Sequence, residues 1–223
     1  EGTNPNSCFI TGNTVIDSLL WMRKKLISKK ISGVDVARNC NISKSFAENY
    51  LGSGKPWILV TGHRRENFGN GFENICSAIK KIVDCNPDVG ILYPVHLNPN
   101  VKEPVNRILR NHDRIELISP VDYANFIWLM DDCKFVLSDS GGVQEEAPSL
   151  GKPVLVMRNT TERPEGVDAG TCTLVGTDKE TIFNEASRLL SDDIEYKKRS
   201  RLKNPYGDGK AAERITKILE REL

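Results

Sequence analysis

Lys134-Phe135-Val136-Leu137-Ser138-Asp139-Ser140-Gly141-Gly142-Val143-Gln144-Glu145-Glu146 is an apolar run that breaks at Ser-Gly-Gly and continues as a helical segment. The junction suits a phosphate. Gly141 and Gly142 remove Cβ atoms where a ligand must approach the backbone, and the free N–H groups of the following helix point outward with the positive end of its dipole. Ser140 adds a hydroxyl donor at the same spot. Glu146 falls about a turn and a half into that helix, where its carboxylate can accept two vicinal ribose hydroxyls. Taken alone, the glycine pair fits a tight strand-to-helix turn as well as it fits a ligand site.

The same alternation recurs on both sides of this stretch. Trp57 to Thr61, Val89 to Tyr93, Ile115 to Ile118, Phe135 to Ser138, Pro153 to Met157 and Cys172 to Val175 read as strands. Between them, apolar residues recur at spacings of three and four: Phe72, Ile75, Ile79 and Ile82; Val101, Val105, Ile108 and Leu109; Tyr123, Phe126, Ile127 and Met130; Ile182, Ala186, Leu189 and Leu190. Asp122 is the expected N-cap of the third helix, and Pro104 is expected in the first turn of the second. Nearly continuous apolar strands alternating with amphipathic helices predict an α/β, doubly wound, Rossmann-like parallel sheet covered on both faces. Ligands of such sheets bind beyond the carboxyl ends of the strands, which is where Thr61-Gly62-His63, Pro94-Val95-His96 and Ser138-Asp139-Ser140 all fall.

Composition narrows the partners. The chain has 223 residues, 39% of them apolar, enough for one sizeable α/β core. Its 31 Lys and Arg balance 30 Asp and Glu, which gives no electrostatic case for nucleic acid or an anionic membrane, so any anion site must be local. Cys8, Cys40, Cys76, Cys85, Cys133 and Cys172 show no Cys-x-x-Cys pair and no histidine at zinc-ligand spacing; they read as buried, reduced thiols, and no metal site is expected. With no membrane-length apolar run and no signal pattern, the cytoplasm is the expected compartment.

The ends read differently from the middle. Residues 1–54 are expected to be a remnant with one short strand at Ser7 to Thr11 and a helix carrying Val15, Leu19, Met22 and Leu26, followed by weak periodicity from Ile27 to Lys55. Residues 55–204 form the expected nucleotide-binding domain. After a sharp loop at Asn204-Pro205-Tyr206-Gly207-Asp208-Gly209, residues 205–223 carry a last helix with Ala211, Ile215, Ile218 and Leu219 on one face. Both ends are expected to pack on a part of a longer polypeptide.

Two further loops carry chemistry. Thr61-Gly62-His63-Arg64-Arg65-Glu66-Asn67 puts a histidine and two guanidinium groups at a strand's carboxyl edge, where His63 can donate to a phosphate or assist proton transfer and an arginine can fork onto diphosphate oxygens. A solvated arginine pair beside a hydrogen-bonded loop histidine is the plainer alternative. Arg158-Asn159-Thr160-Thr161-Glu162-Arg163-Pro164-Glu165-Gly166 leaves another strand end, and Arg163 is placed to reach an anion held by Ser140; a charged surface loop is its plainer alternative. His112 ends a helix, where it complements the dipole, and is given no role.

Five segments in order, Thr11 to Asp17, Thr61 to Asn67, Pro94 to Val101, Ser138 to Glu146 and Thr161 to Gly166, resemble the non-hydrolysing UDP-N-acetylglucosamine 2-epimerases. The resemblance runs along nearly the whole chain. It implies a fold like that of GT-B glycosyltransferases, with UDP between two Rossmann-like halves, of which this chain looks like the second. It implies that Ser140, Gly141 and Gly142 hold the diphosphate, that Glu146 holds the ribose, that His63 is catalytic and Arg163 lies near phosphate and sugar, and that Arg64 and His96 belong to a second, activating UDP-N-acetylglucosamine site. It further implies interconversion of UDP-N-acetylglucosamine and UDP-N-acetylmannosamine without a redox cofactor, and a homodimeric parent protein. The family's amino-terminal domain, which supplies acidic residues that move protons at the sugar, has no counterpart here, so the fragment alone is expected to bind UDP and not to turn over substrate. A hydrolysing epimerase, a GT-B glycosyltransferase donor domain and a noncatalytic nucleotide-sugar binding module are the alternatives.

Overall fold

The structure, a computed structural model, describes residues 2–222. It opens with a 3-10 turn at Pro5–Ser7, then α1 (Thr14–Ser28), α2 (Gly33–Cys40) and α3 (Lys44–Tyr50). From there strands and helices alternate: β1 (Trp57–Thr61), α4 (Asn70–Cys85), β2 (Gly90–Pro94), α5 (Pro99–Leu109), β3 (Ile115–Ile118), α6 (Tyr123–Asp132), β4 (Phe135–Ser138), α7 (Gly141–Glu146), β5 (Val154–Val156), α8 (Pro164–Asp168), β6 (Cys172–Leu174) and α9 (Lys179–Ser191). Helices α10 (Asp193–Ser200) and α11 (Ala211–Glu222) close the chain.

The six strands form one parallel sheet in the order β3-β2-β1-β4-β5-β6. This is the doubly wound arrangement, and the strand order reverses between β1 and β4. Pleating divides the strand side chains between two cores. Ile58, Val60, Ile91, Tyr93, Phe135, Leu137 and Leu155 face Phe72, Ile75 and Ile79 of α4, Val105 of α5 and Ile182 of α9. Trp57, Leu59, Leu92, Val136, Val154 and Val156 face Leu19 of α1, Val36 of α2, Phe46 of α3 and Met130 of α6. Burial on both faces is what the continuous apolar strands require.

Several expectations need correction. Ser7 to Thr11 is not a strand: it lies off the sheet with Phe9 and Ile10 exposed, and without a neighbouring backbone a strand has no ladder to join. Ile27 to Lys55 hides two short helices. Ser32 and Asp35 form a reciprocal capping box on α2, which ends at Asn41 in the left-handed conformation, and Ser43 caps α3. Tyr50 then packs so closely on the start of β2 that a Cβ at Gly90 would stand 2.9 Å from its ring. Pro104 is inside α5 rather than in its first turn; Pro99 takes that place behind the cap Asn98. Cys8 and Cys85 are exposed, while the other four thiols are free and buried.

The chain's two ends meet. The Ala211 and Ala212 amides donate to the Asp17 carboxylate at 3.1 and 2.9 Å, and the Asn13 amide donates to the Tyr206 carbonyl at 2.9 Å. Asp17 thereby caps α11 from α1.

Candidate functional site

Four loops leave the carboxyl edge beside the β1/β4 reversal, those after β1, β2, β4 and β5. Thr61 and Ser138 end paired strands, and their hydroxyls lie 2.7 Å apart. Beyond them the fully buried Asp139 carboxylate anchors the loop after β1: its Oδ2 accepts from the amides of His63 at 2.9 Å and Arg64 at 2.8 Å. Asn67 Nδ2 reaches the same oxygen at 3.4 Å and the Met157 carbonyl at 3.1 Å, which ties in β5. A carboxylate removed from water is stable only when amides replace the lost hydration, and here two backbone N–H groups do so.

Helix α7 begins at Ser140, in extended backbone, with no side chain capping its first turn. The amides of that turn therefore remain open donors. Neither Gly141 nor Gly142 has a positive φ, so a tight turn does not explain them. Packing does not either: a Cβ at Gly141 would meet nothing closer than Arg64 Nη2 at 3.8 Å, and one at Gly142 nothing closer than Ser140 Oγ at 3.9 Å. Gly142 is exposed in front of free amides, and buried Gly141 leaves its side to the Arg64 and Arg163 side chains.

Two guanidinium groups border that space. Arg64 lies beside Gly141 with its Nε buried and unpartnered, and its Nη1 is 4.0 Å from Glu162 Oε1. The Arg163 Cζ lies 3.9 Å from the same Cβ position, and its Nε donates to Glu145, which also accepts from Asn13 Nδ2 at 2.7 Å. That bond to Glu145 is the main cause raising the Arg163 guanidinium above its ordinary value. The loop carrying Arg163 is clipped to the loop after β1 by buried Arg158, which donates to Glu66 Oε1 at 2.6 Å and to Glu162 Oε1 at 2.9 Å. The Arg158 bonds hold the Glu162 carboxyl down at about 2.

Glu146, the last residue of α7, is 7% exposed and accepts from the Tyr123 hydroxyl at 2.9 Å. Burial is the main cause raising its carboxyl above the usual range; the Tyr123 bond opposes this and the charge of Glu145 adds to it. Tyr123 also borders a recess of about 640 Å³ with Asp17, Leu20 and Trp21 of α1. His63 and His96, which the resemblance assigns to different sites, are stacked with ring centroids 5.5 Å apart and planes 24° apart.

The structure thus brings Ser140, Gly141, Gly142, Arg64 and Arg163 around one opening, sets Glu146 at the far end of α7, and joins His63 to His96. Sequence reasoning missed Asp139, Glu145 and Arg158 as the residues that hold these groups in place. Asp139 had a signal, an acidic residue ending an apolar strand just before the Ser-Gly-Gly turn; the partners of Glu145 and Arg158 lie on other loops and leave no local pattern.

Among the described residues no helix is long and apolar enough to cross a membrane. The chain is 54% identical to UDP-N-acetylglucosamine 2-epimerase of Escherichia coli K12 over 222 residues, 99% of this chain and 56% of that protein. Among solved structures, the Neisseria meningitidis UDP-GlcNAc 2-epimerase bound to UDP-GlcNAc superposes with a TM-score of 0.84 at 39% identity, over 98% of this chain and 57% of that one. A Staphylococcus aureus protein solved with UDP gives a TM-score of 0.86 at 41% identity, over 100% and 56%. The chain therefore spans a little over half the length of the relatives it matches. These relatives share its Rossmann-like half of a GT-B fold, and the family description UDP-N-acetylglucosamine 2-epimerase matches residues 1–220: the chain belongs to that family.

Proposed function

We propose that this chain is the UDP-holding half of an enzyme that interconverts UDP-N-acetylglucosamine and UDP-N-acetylmannosamine. One observation carries the reading: the open first-turn amides of α7, behind two glycines that neither backbone geometry nor packing requires, bordered by Arg64 and Arg163. That arrangement fits a diphosphate. Glu146 is then the acceptor for the ribose hydroxyls, with Tyr123 orienting its carboxylate.

In the epimerisation the C2 proton leaves, the C1–O bond breaks with its electron pair going to UDP, and the glycal so formed takes both back with C2 inverted. Charge develops on the departing diphosphate. Donors fixed before the reaction starts stabilise that charge without reorganising, and the α7 amides, the Ser140 hydroxyl and the two guanidinium groups serve as such donors. His63, next to Arg64 in the loop after β1, is the group of this half that handles a proton. Removal and return of the C2 proton fall to residues outside this chain, so the chain alone binds UDP and is inactive. The implied parent is a homodimer working in the cytoplasm.

Calorimetric titration with UDP, paired with incubation of UDP-N-acetylglucosamine in deuterated water, tests this. UDP binding without deuterium at C2 is the expected result, and epimer once the amino-terminal half is supplied. Failure to bind UDP, or C2 exchange by the chain alone, contradicts it. A new glycosidic bond with an acceptor would indicate a glycosyltransferase, free N-acetylmannosamine a hydrolysing epimerase, and binding without turnover in the complete protein a noncatalytic module.

A further inference from the structure

The sequence contains three histidines, and their ring nitrogens are held in two different ways. His96 Nδ1 accepts from the Asn98 amide at 3.1 Å, and His112 Nδ1 accepts from the Arg114 amide at 3.2 Å. An Nδ1 that accepts a hydrogen bond carries no proton, so both neutral rings are protonated at Nε2. His63 has no amide at Nδ1. That nitrogen instead faces Asp139 Oδ1 at 3.5 Å, just beyond a formed hydrogen bond.

The Asp139 oxygen has an unusual position of its own. Oδ2 is occupied by the His63 and Arg64 amides, whereas Oδ1 is buried and has no partner. A buried carboxylate oxygen without a donor is costly, and a movement of a few tenths of an ångström by the half-exposed His63 ring satisfies it. His96 stacks on the ring from the β2 loop and limits its tilt. Arg64 follows in the chain with its own Nε unpartnered. The charged and titratable groups around His63 are thus Asp139 just after β4, His96 in the loop after β2 and Arg64 from the same loop.

We propose that Asp139 is a positioning residue for His63: it fixes the neutral ring with its proton on Nδ1, directed at Asp139 Oδ1, and leaves Nε2 as the single nitrogen that His63 offers to a ligand. His63 is then the reverse of His96 and His112. Nε2 accepts a proton from solvent and, as part of an imidazolium, donates a charge-assisted hydrogen bond to a phosphate oxygen, while Asp139 faces the new positive charge. The logic is that of a carboxylate selecting a histidine tautomer for an acid–base site. The phosphate step rests on the UDP reading above; the tautomer does not.

Long-range proton–nitrogen spectra of the nitrogen-15-labelled full chain, recorded where the imidazoles are neutral, test this. His63→Gln, His96→Gln and His112→Gln assign the three rings. The expected result is a protonated Nδ1 for His63 and a protonated Nε2 for His96 and His112. A protonated Nε2 on His63, or an even mixture of tautomers, overturns the proposal. In Asp139→Asn the amide oxygen still accepts from the two backbone N–H groups, but its NH2 can only donate to Nδ1, so His63 is expected to switch tautomer. A folded variant with no switch overturns the proposal. If that variant does not fold, the wild-type spectrum decides alone. Asp139→Asn also removes the negative charge that faces the imidazolium, and this should weaken UDP by about tenfold, the scale of one hydrogen bond to a charged group. Lost affinity with an unchanged tautomer reduces Asp139 to a structural role. If wild-type chain fails to bind UDP, the functional reading falls and the tautomer assignment is still decided by the spectra.

Discussion

The six junctions from strand to helix at the carboxyl edge fall into two sets. After β2, β3 and β6, Asn98, Asp122 and Asp178 cap the next helix by accepting from the amides of Asn100, Asn125 and Thr181 at 2.9, 3.0 and 2.8 Å. After β1, β4 and β5 the cap positions are Gly69, Ser140 and Arg163, and none makes a side-chain cap bond. All six start helices of the same sheet, so the difference does not come from the architecture. Capping satisfies a helix start and contributes to stability. At α8 the Tyr206 hydroxyl accepts from the Gly166 amide at 2.9 Å instead, whereas the first turn of α7 forgoes that contribution where a ligand can provide the missing acceptors.

The largest expected effect lies at the far end of α7. Glu146→Gln removes the charge that receives two hydroxyls and should weaken UDP by roughly tenfold to a hundredfold in calorimetry. Gly142→Ala separates binding from folding more sharply. The backbone is helical and a Cβ there has room, with Ser140 Oγ at 3.9 Å, so thermal unfolding should show a gain of about 0.5–1 kcal/mol from the better helix former. UDP affinity should fall at the same time, because the methyl occupies the ligand's space. Lost stability in this variant would mean that the glycine serves the fold after all.

A paired comparison sharpens the contrast between junctions. Asp122→Ala should cost about 1 kcal/mol of stability by removing a cap and leave UDP binding unchanged. Ser140→Ala should do the opposite, since its hydroxyl caps nothing. Equal behaviour of the two variants would erase the distinction.

The smallest effect is in pH. Burial raises the Glu146 carboxyl, so the folded state holds its proton more tightly than the unfolded state does. For such a group stability falls as pH rises from the ordinary carboxylate value through the raised one, and the penalty persists above it. Urea titrations across that window should show a shallower decline for Glu146→Gln than for the wild type. A steeper one would contradict the assignment.

The strands were legible because burial on both faces leaves runs such as Trp57 to Val60 with no polar interruption. The long helices α4, α5 and α9 were legible from spacings of three and four. Helices α2 and α3 were not, because about two turns offer too few repeats; only their caps, the Ser32–Asp35 box and Ser43, mark them. Ser7 to Thr11 was misread because apolar content alone does not supply a pairing partner. At the site, the loops could be placed because chemistry collects at strand ends. The contacts inside them could not: Asp139 meets His63 across two strands, and Asn13 meets Glu145 across 132 residues of chain. Such pairings depend on which strands lie side by side, which apolar periodicity does not record.

The central claim is that a nucleotide diphosphate occupies the uncapped start of α7. A crystal structure of the chain with UDP tests it most directly. Phosphate oxygens should lie about 2.7–3.2 Å from amide nitrogens of the Gly141–Val143 turn, with Arg64 or Arg163 on the remaining oxygens and the ribose on Glu146. A diphosphate bound anywhere else, with those amides facing water, would contradict the account.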